Sequence, residues 1–369
     1  MRMLQDNIPL MMILFFTGMF LFSVLINSIL LKFSKTLGIR NNPDQQIRWS
    51  STVKPAVGGI SFFIIFLFSF LLIGILLDDY NVYMKNIKLL GLLIATTLAF
   101  LMGLADDAFD TNPLIKSGVQ LLCCLAIIMT GTKISCFESE FLNYALTMLW
   151  IVGLMNSVNM LDNMDAITTV VSIMILIFFI SQKLLIQSPL NPQSYICLAM
   201  LGALSGFLIF NWHPSKMFMG DTGSQVLGLI LAFMGIEFCW NAPTDSAAVN
   251  LKYFPLKNIL LAGTIFILPI TDTFTVFVNR ILRGSSPFVG GKDHTTHHLF
   301  FKGITEKKIA IIFILLGAFA TVSASRLLLL NSSYAGDYFI FLIFPVFVFI
   351  SLYLVTIIKR KKIRSKGNK

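Results

Sequence analysis

The stretch Phe207 to Ser224, FLIFNWHPSKMFMGDTGS, joins two apolar runs through a short polar connector holding Asn211, Pro214, Gly220, Asp221, Gly223 and Ser224. A lone carboxylate between glycines, at the edge of segments suited to a bilayer, contributes little to packing. It suits a phosphate or a metal: the glycines let backbone N–H groups approach an anion, and Ser224 can cap the next helix.

Outward from this connector the same alternation of apolar run and polar break fills the chain. Of 369 residues, 56% are hydrophobic, only 12% are charged and 35 are phenylalanine, which excludes an ordinary soluble domain. Crossing ~30 Å of hydrocarbon takes about 20 apolar residues, and by that criterion the sequence predicts an all-α, polytopic integral membrane protein of about eleven helices. They lie near Ile8 to Leu31, Val57 to Leu77, Leu89 to Ala105, Ser117 to Gly131, Leu142 to Val158, Ala166 to Ile186, Tyr195 to Phe210, Gln225 to Trp240, Asn258 to Leu282, Ile309 to Leu330 and Phe339 to Ile358. The first run is longer than a signal-peptide core and lacks a small-residue cleavage site, so it reads as a retained span.

The net charge of +10 does not point to nucleic acid, because the basic residues gather in connectors and in the tail Lys359 to Lys369. Lys32, Lys35, Arg40, Arg48 and Lys54 flank the first connection; Arg283, Lys292, Lys302, Lys307 and Lys308 fill a late one. The positive-inside rule then puts these segments in the cytoplasm, the N-terminus outside and the C-terminus inside. The connections at residues 33–56, 106–116, 159–165, 211–224 and 283–308 share one face of a single membrane domain, 1–369, with a basic cytoplasmic tail, 359–369. Every polar motif falls in or beside those five loops, which argues for a site at the cytoplasmic surface. Cys123, Cys124, Cys136, Cys197 and Cys239 show no paired metal spacing and read as apolar packing.

Four loops carry the chemistry. Asp106 and Asp107 sit side by side at the mouth of a helix, with Asp110 beyond and Lys116 ten positions after Asp106. Such a pair is either a solvated helix end or a device for a metal-bound phosphate or a proton, with Lys116 offering charge to a diphosphate. Asn156, Asn159 and Asp162 recur every three residues, so a helical turn brings them near one face; capping is the simpler use of such residues, oxygen ligation the functional one. Around Asp221 hard oxygen donors predominate and suit Mg²⁺ or Mn²⁺ rather than zinc. In the late loop Lys292 precedes His294, His297 and His298, three of the four histidines in the chain. Without cysteines or zinc spacing they read as phosphate binders. His213 reads as an interfacial packing histidine, Arg326 as a snorkelling side chain, and Asp272 with Arg280 as intramembrane charges that serve function or pair.

This set of motifs resembles the polyprenyl-phosphate N-acetylhexosamine-1-phosphate transferases of glycosyltransferase family 4, integral membrane enzymes that begin lipid-linked glycan assembly. The likeness runs from about Lys54 to about Leu299. The family's Pro-x-x-Gly-Gly is Pro55 to Gly59, its Asp-Asp-x-x-Asp is Asp106, Asp107 and Asp110, and its Asn-x-x-Asn-x-x-Asp is Asn156, Asn159 and Asp162. Its Phe-Met-Gly-Asp-x-Gly-Ser is Phe218 to Ser224. The resemblance implies a UDP-sugar donor, a polyprenyl (undecaprenyl) phosphate acceptor, UMP as product and Mg²⁺ held by Asn159 and Asp221. It implies Asp106 and Asp107 near the lipid phosphate, one as base, Lys116 and the histidine loop against the diphosphate, and Asp162 and Asp165 on the nucleotide side, with Asn156 also at the substrate. Asp106, Asp107, Lys116 and Asp162 are thus the expected catalytic group. Asn156, Asp165, Lys292, His294, His297 and His298 are the expected substrate contacts.

Two segments depart from the family pattern. Asp-Gly-x-Asp-Gly is here Asp162-Asn163-Met164-Asp165-Ala166, without either glycine, and His-x-His-His becomes His294-Thr295-Thr296-His297-His298, one residue longer. Eleven spans and an inside C-terminus look more like the branch that starts O-antigen, teichoic acid or capsule synthesis than the ten-span branch using UDP-MurNAc-pentapeptide. The expected place is the inner cell membrane, and a homodimer is compatible with it. A secondary transporter is the alternative from another class; it predicts inverted repeats and midplane charges, and the sequence has no such repeat.

Overall fold

The computed structural model describes residues 8–34, 54–76, 86–186, 191–242, 254–286, 291–330, 332 and 334–357. The basic residues at 35–53, the stretch 287–290 and the basic tail lie outside them. The helices are α1 (Ile8–Phe33), α2 (Gly58–Leu76), α3 (Ile87–Phe109), α4 (Pro113–Met129), α5 (Glu140–Leu161), α6 (Ile167–Leu185) and α7 (Pro192–Asn211). Then follow α8 (Gly220–Gly235, extended by a π-helical turn to Trp240), α9 (Phe254–Ile265), α10 (Ile267–Leu282), α11 (Thr295–Phe301), α12 (Glu306–Leu329), α13 (Ala335–Phe339) and α14 (Ile343–Ile357).

Over its described residues each of the eleven expected segments is helical in the main, with Leu77 and Ile358 outside them, and the chain is an all-helical, multi-pass membrane protein. Among the described residues eight helices are long and apolar enough to cross a membrane, nine if the bent pair α9–α10 is one span; α2 and α4 have shorter apolar stretches. The bend between α9 and α10 is 79°. Pro269 explains it, since a proline ring collides with the carbonyl four residues earlier, here Ile265, where α9 stops. The lipid-facing helices leave large apolar side chains exposed, among them Leu21 on α1, Leu315 on α12 and Phe347 on α14.

The organising helix is α8, which is almost wholly buried and packs against α2, α3 and α5. It begins at Gly220 rather than at the expected Gln225, so Asp221 and Ser224 belong to the helix and not to the connector before it. Asp106 and Asp107 likewise close the last turn of α3, and Lys116 lies in the first turn of α4. The connector between them shrinks to residues 110–112, with Asp110 exposed in the left-handed region at φ 53°.

Glycine sets how closely these helices meet. The segment Pro55–Gly59 runs beside Phe218 and Met219: Phe218 N–H donates to Pro55 C=O at 3.0 Å, Gly58 N–H to Phe218 C=O at 3.1 Å and Gly59 N–H to Met219 C=O at 2.9 Å. Ala56 and Phe218 form a parallel bridge, the sole extended pairing among the described residues. A methyl group on Gly59 would sit 2.1 Å from the Gly223 nitrogen, so the Pro-x-x-Gly-Gly motif fits backbone against backbone. Gly59→Ala is therefore expected to cost about 1–3 kcal/mol by overpacking, read as a lowered melting temperature in detergent. Gly18→Ala, with nothing within 4 Å of the added methyl, is the neutral control.

Candidate active site

Buried carboxylates fasten the helix ends of this site. Asp107 accepts the Asp221 and Thr222 amides, each at 2.9 Å, and the Thr222 hydroxyl at 2.6 Å. It thereby caps the N-terminus of α8 from a neighbouring helix, where orphan amides and the positive end of the helix dipole favour a negative charge. Ser224 does not cap; its hydroxyl faces the Asp221 carbonyl at 3.3 Å and accepts from Asn159 Nδ2 at 2.8 Å. Asp106 takes the Thr111 amide at 2.9 Å, the Thr111 hydroxyl at 2.5 Å and the Lys116 ammonium at 2.7 Å.

Asp165 repeats the device. It holds the Ser215 amide and hydroxyl at 2.9 and 2.7 Å, His213 Nδ1 at 3.0 Å and, more loosely, Lys54 at 3.6 Å. Glu306 at the start of α12 meets the same imidazole nitrogen at 2.7 Å. Asp165, His213 and Glu306 could geometrically hold an ion. Because Ser215 and His213 already occupy the Asp165 oxygens, they read as a hydrogen-bonded clamp on the connector before α8. His213, expected only to pack, is the centre of that clamp.

Two carboxylates differ from these. Asp221 Oδ1 accepts a short hydrogen bond from Asn159 Nδ2 and lies 3.4 Å from Lys116 Nζ, which is itself 3.5 Å from Asn159 Oδ1. The carboxylate of Asp162, the residue that closes α5, accepts no hydrogen bond and makes no ion pair among the described residues. Burial, then the charges of Asp221, Asp107 and Asp165, pushes its pKa up to about 8. Lys116, Asn159, Asp162 and Asp221 thus converge where α4, α5 and α8 end or begin. Asn156, one turn deeper on α5, belongs instead to a chain of amides. Its Nδ2 donates to Gln120 Oε1 at 3.0 Å, and Gln120 Nε2 donates to Asn156 Oδ1 at 3.2 Å and to Gln225 Oε1 at 3.0 Å.

The histidines lie at α11. Asp272, wholly buried on α10, accepts the Thr295 amide at 2.8 Å and hydroxyl at 2.6 Å, with its other oxygen 2.8 Å from His294 Nδ1. Arg280 does not pair with Asp272; its guanidinium binds Asp293 bidentately at 2.8 and 2.6 Å. That pairing holds the Asp293 carboxyl below the usual carboxylate range despite its burial. His297 is buried, its ring 5.3 Å from that of His294. Burial and the neighbouring His294 charge bring its pKa down to about 4, and burial lowers that of His298. Lys292 is exposed at the entrance to α11. The histidines are thus joined to the carboxylate cluster through the Asp162 turn, where the Thr296 hydroxyl donates to Asn163 Oδ1 at 2.5 Å.

Several residues at the site had no role in the sequence reading: Gln120 and Gln225 within helices, Thr222 in the x position of its motif, and Asn211, noted there only as part of the polar connector. Asn211 Oδ1 accepts the Ala166 amide at 3.1 Å and the Thr169 hydroxyl at 2.7 Å while its Nδ2 donates to the Met217 carbonyl at 3.1 Å. Gln120 and Gln225 were hinted at only by their placement inside otherwise apolar helices, whereas Thr222 lies in the first turn of α8 and Asn211 ends α7.

With this geometry in view, comparison with known proteins bears out the family resemblance. Residues 89–239, the middle of the chain, match the model of the family described as "Glycosyl transferase family 4". More particularly, the chain is 27% identical over 286 residues to a Bacillus subtilis protein named "Probable undecaprenyl-phosphate N-acetylglucosaminyl 1-phosphate transferase", covering 74% of this chain and 73% of that one. It is 25% identical over 350 residues to a Yersinia pestis "Undecaprenyl-phosphate alpha-N-acetylglucosaminyl 1-phosphate transferase", covering 91% and 87%. A "Phospho-N-acetylmuramoyl-pentapeptide-transferase" of Carboxydothermus hydrogenoformans is 28% identical over 302 residues, covering 73% and 83%.

Two measurements test the local physics. Ala166 stands at φ 67°, where the family carries glycine, and a side chain there costs about 1–2 kcal/mol that glycine's extra unfolded-state freedom only partly cancels. Ala166→Gly is expected to raise stability by roughly 0.5–1 kcal/mol in thermal unfolding. His297 ordinarily titrates at 6.5 and in the fold near 4, so the unfolded chain binds the extra proton between those values. Its contribution is complete above pH 6.5 and is lost as pH falls towards 4, on the order of 3 kcal/mol. A His297→Gln variant should show a flatter fall in melting temperature between pH 7 and pH 4.5 than the parent.

Proposed function

We propose that this protein transfers N-acetylhexosamine-1-phosphate from a UDP-sugar to undecaprenyl phosphate, releasing UMP and starting lipid-linked cell-envelope glycan synthesis. The observation that carries the reading is the convergence of Lys116, Asn159, Asp162 and Asp221 at helix ends, within residues matching glycosyl transferase family 4. An oxygen of the lipid phosphate attacks the sugar-bearing phosphorus. The new P–O bond gives a lipid diphosphosugar, and the bridging oxygen leaves on UMP with the bond's electron pair. Such a reaction asks a protein for alignment and charge neutralisation more than covalent chemistry.

The residues divide that work. Lys116, set between Asp106 and Asp221, neutralises the diphosphate, and Asp106 positions it. Asp107 holds the start of α8 so that Asp221 faces the site. The proton-accepting role expected of the Asp106 pair passes to Asp162, since Asp106 and Asp107 each take three donors while Asp162 takes none among the described residues. His294, His297 and His298 approach the diphosphate side, His297 as a neutral hydrogen-bonding imidazole, with Lys292 at the rim. Asp165 acts through the His213 clamp on the connector, and Asn156 through the Gln120 amides that support α5.

The donor set is all hard oxygen, with a carboxylate on Asp162 that has no partner among the described residues, the Asn159 amide oxygen and the Asp221 carboxylate, and it fits Mg²⁺, or Mn²⁺, better than zinc. Asn159 and Asp221 would hold the ion, which supplies charge stabilisation for the diphosphate when bound. In the full reading the α9–α10 pair, α2 and α4 all cross, giving eleven spans, with the N-terminus outside, the five loops and tail on the cytoplasmic face of the inner membrane, and a homodimer compatible with that arrangement. A UDP-MurNAc-pentapeptide donor is the second reading, supported by the pentapeptide-transferase relatives. Transport is disfavoured by carboxylates gathered at one end of the helices.

Detergent-purified protein with Mg²⁺, undecaprenyl phosphate and a panel of UDP-sugars should release UMP with an N-acetylhexosamine donor. No turnover with any donor from a folded sample would overturn the reading. Asp221→Asn is expected to lower kcat by at least about 100-fold while melting like the parent, and near-parental turnover would remove its metal role.

A further inference from the structure

The two departures from the family pattern touch one another. Asn163 stands where the family has glycine, and Thr296 lies in the histidine segment that is one residue longer; the Thr296 hydroxyl donates to Asn163 Oδ1 at 2.5 Å. The amide cannot turn away, because Asn163 Nδ2 donates to the Met160 carbonyl at the end of α5 at 3.0 Å, which aims Oδ1 at α11. Thr296 is fully buried and Asn163 partly so. A glycine at 163 has no side chain to make this bond.

The added residue also changes the histidine geometry. His294 and His297 are three positions apart instead of two, and an i, i+3 spacing brings side chains to one face of a helix. Their rings accordingly stand 5.3 Å apart, next to the Thr296 bond. The start of α11 is held from two sides, by Asp272 of α10 through Thr295 and His294 and by Asn163 of the α5 turn through Thr296. Asp162 is the residue before Asn163, so the bond fixes the distance between the histidines and that carboxylate.

We propose that Asn163 and Thr296 form a latch that sets the histidine helix on the Asp162 turn before the donor arrives, making both of them positioning residues for recognition of the donor diphosphate. The inference rests on the transferase reading and deepens it. A helix already in place spares the incoming ligand the cost of ordering it; without the latch only a fraction of molecules is competent, and apparent affinity falls by that fraction. The loss is of uniform binding, so it raises KM and leaves kcat nearly unchanged.

The test is steady-state kinetics on full-length protein in detergent, varying the UDP-sugar that the parent uses at saturating undecaprenyl phosphate. Asn163→Gly and Thr296→Val should each raise donor KM about five- to tenfold, the range expected for loss of one buried hydrogen bond, with kcat within about twofold. Thr296→Ser, which keeps the hydroxyl, should return KM close to the parental value, and the double variant should be no worse than the poorer single one. Unchanged KM in the single variants, additive effects in the double, or failure of serine to rescue would overturn the latch. Should Thr296→Val not fold, Asn163→Gly at its partly exposed position decides the matter alone. Loss of melting temperature without a KM change marks a merely structural bond and also overturns the proposal. Absence of turnover in the parent protein indicts the transferase reading instead, so the two failures are distinguishable.

Discussion

The carboxylate of Asp107 receives the first amides of α8, and the site depends on that contact. A helix that starts within an apolar bundle presents amides with no intrahelical partner, and leaving them bare is costly where water cannot reach. Asp107 meets two of them and the Thr222 hydroxyl besides. Gly220 at φ 73° turns the chain into the helix at that point, and the bare backbones of Gly59 and Gly103 let α2 and α3 come against its first turn. Asp221 is carried into the site by this capped end.

The same device recurs through the protein. Asp106 with Thr111, Asp165 with Ser215 and Asp272 with Thr295 each bind a backbone N–H and the hydroxyl of one residue. A buried charge is tolerated when its oxygens are saturated with donors, and each of these bonds ties together segments at helix ends or connectors. What remains for chemistry is what the fasteners leave over: Asp162 with no donor among the described residues, Asp221 with Asn159 and Lys116, and a histidine helix gripped at its start. Rigidity around the site and reactivity within it thus come from one residue type in two states of hydrogen bonding.

Much of this was legible in the residues. The apolar runs gave the positions of all eleven helical segments, since spanning length and hydropathy are local properties, and the one-sided distribution of polar motifs pointed to Asp106, Asn159, Asp162 and Asp221 as neighbours. The roles were less legible. Asp106, Asp107 and Asp162 look alike as letters, and only the partners supplied by Thr111, Thr222 and Lys116 separate a fastened carboxylate from an open one. Helix starts were misplaced for a related reason: Gly220 to Ser224 reads as a connector because its cap comes from Asp107, more than a hundred positions away.

The sequence by itself determined the class of protein, the order of the apolar helical segments and the residue types available for diphosphate chemistry, because burial in a bilayer imposes length and composition on each helix separately. The tertiary structure decided which carboxylate is spent on holding the helices and which is left to act, that His213 clamps a connector, and that Asn163 meets Thr296. Those outcomes depend on hydrogen bonds between segments far apart in the chain, and a hydrogen bond has a direction and a reach of about 3 Å that no local pattern encodes.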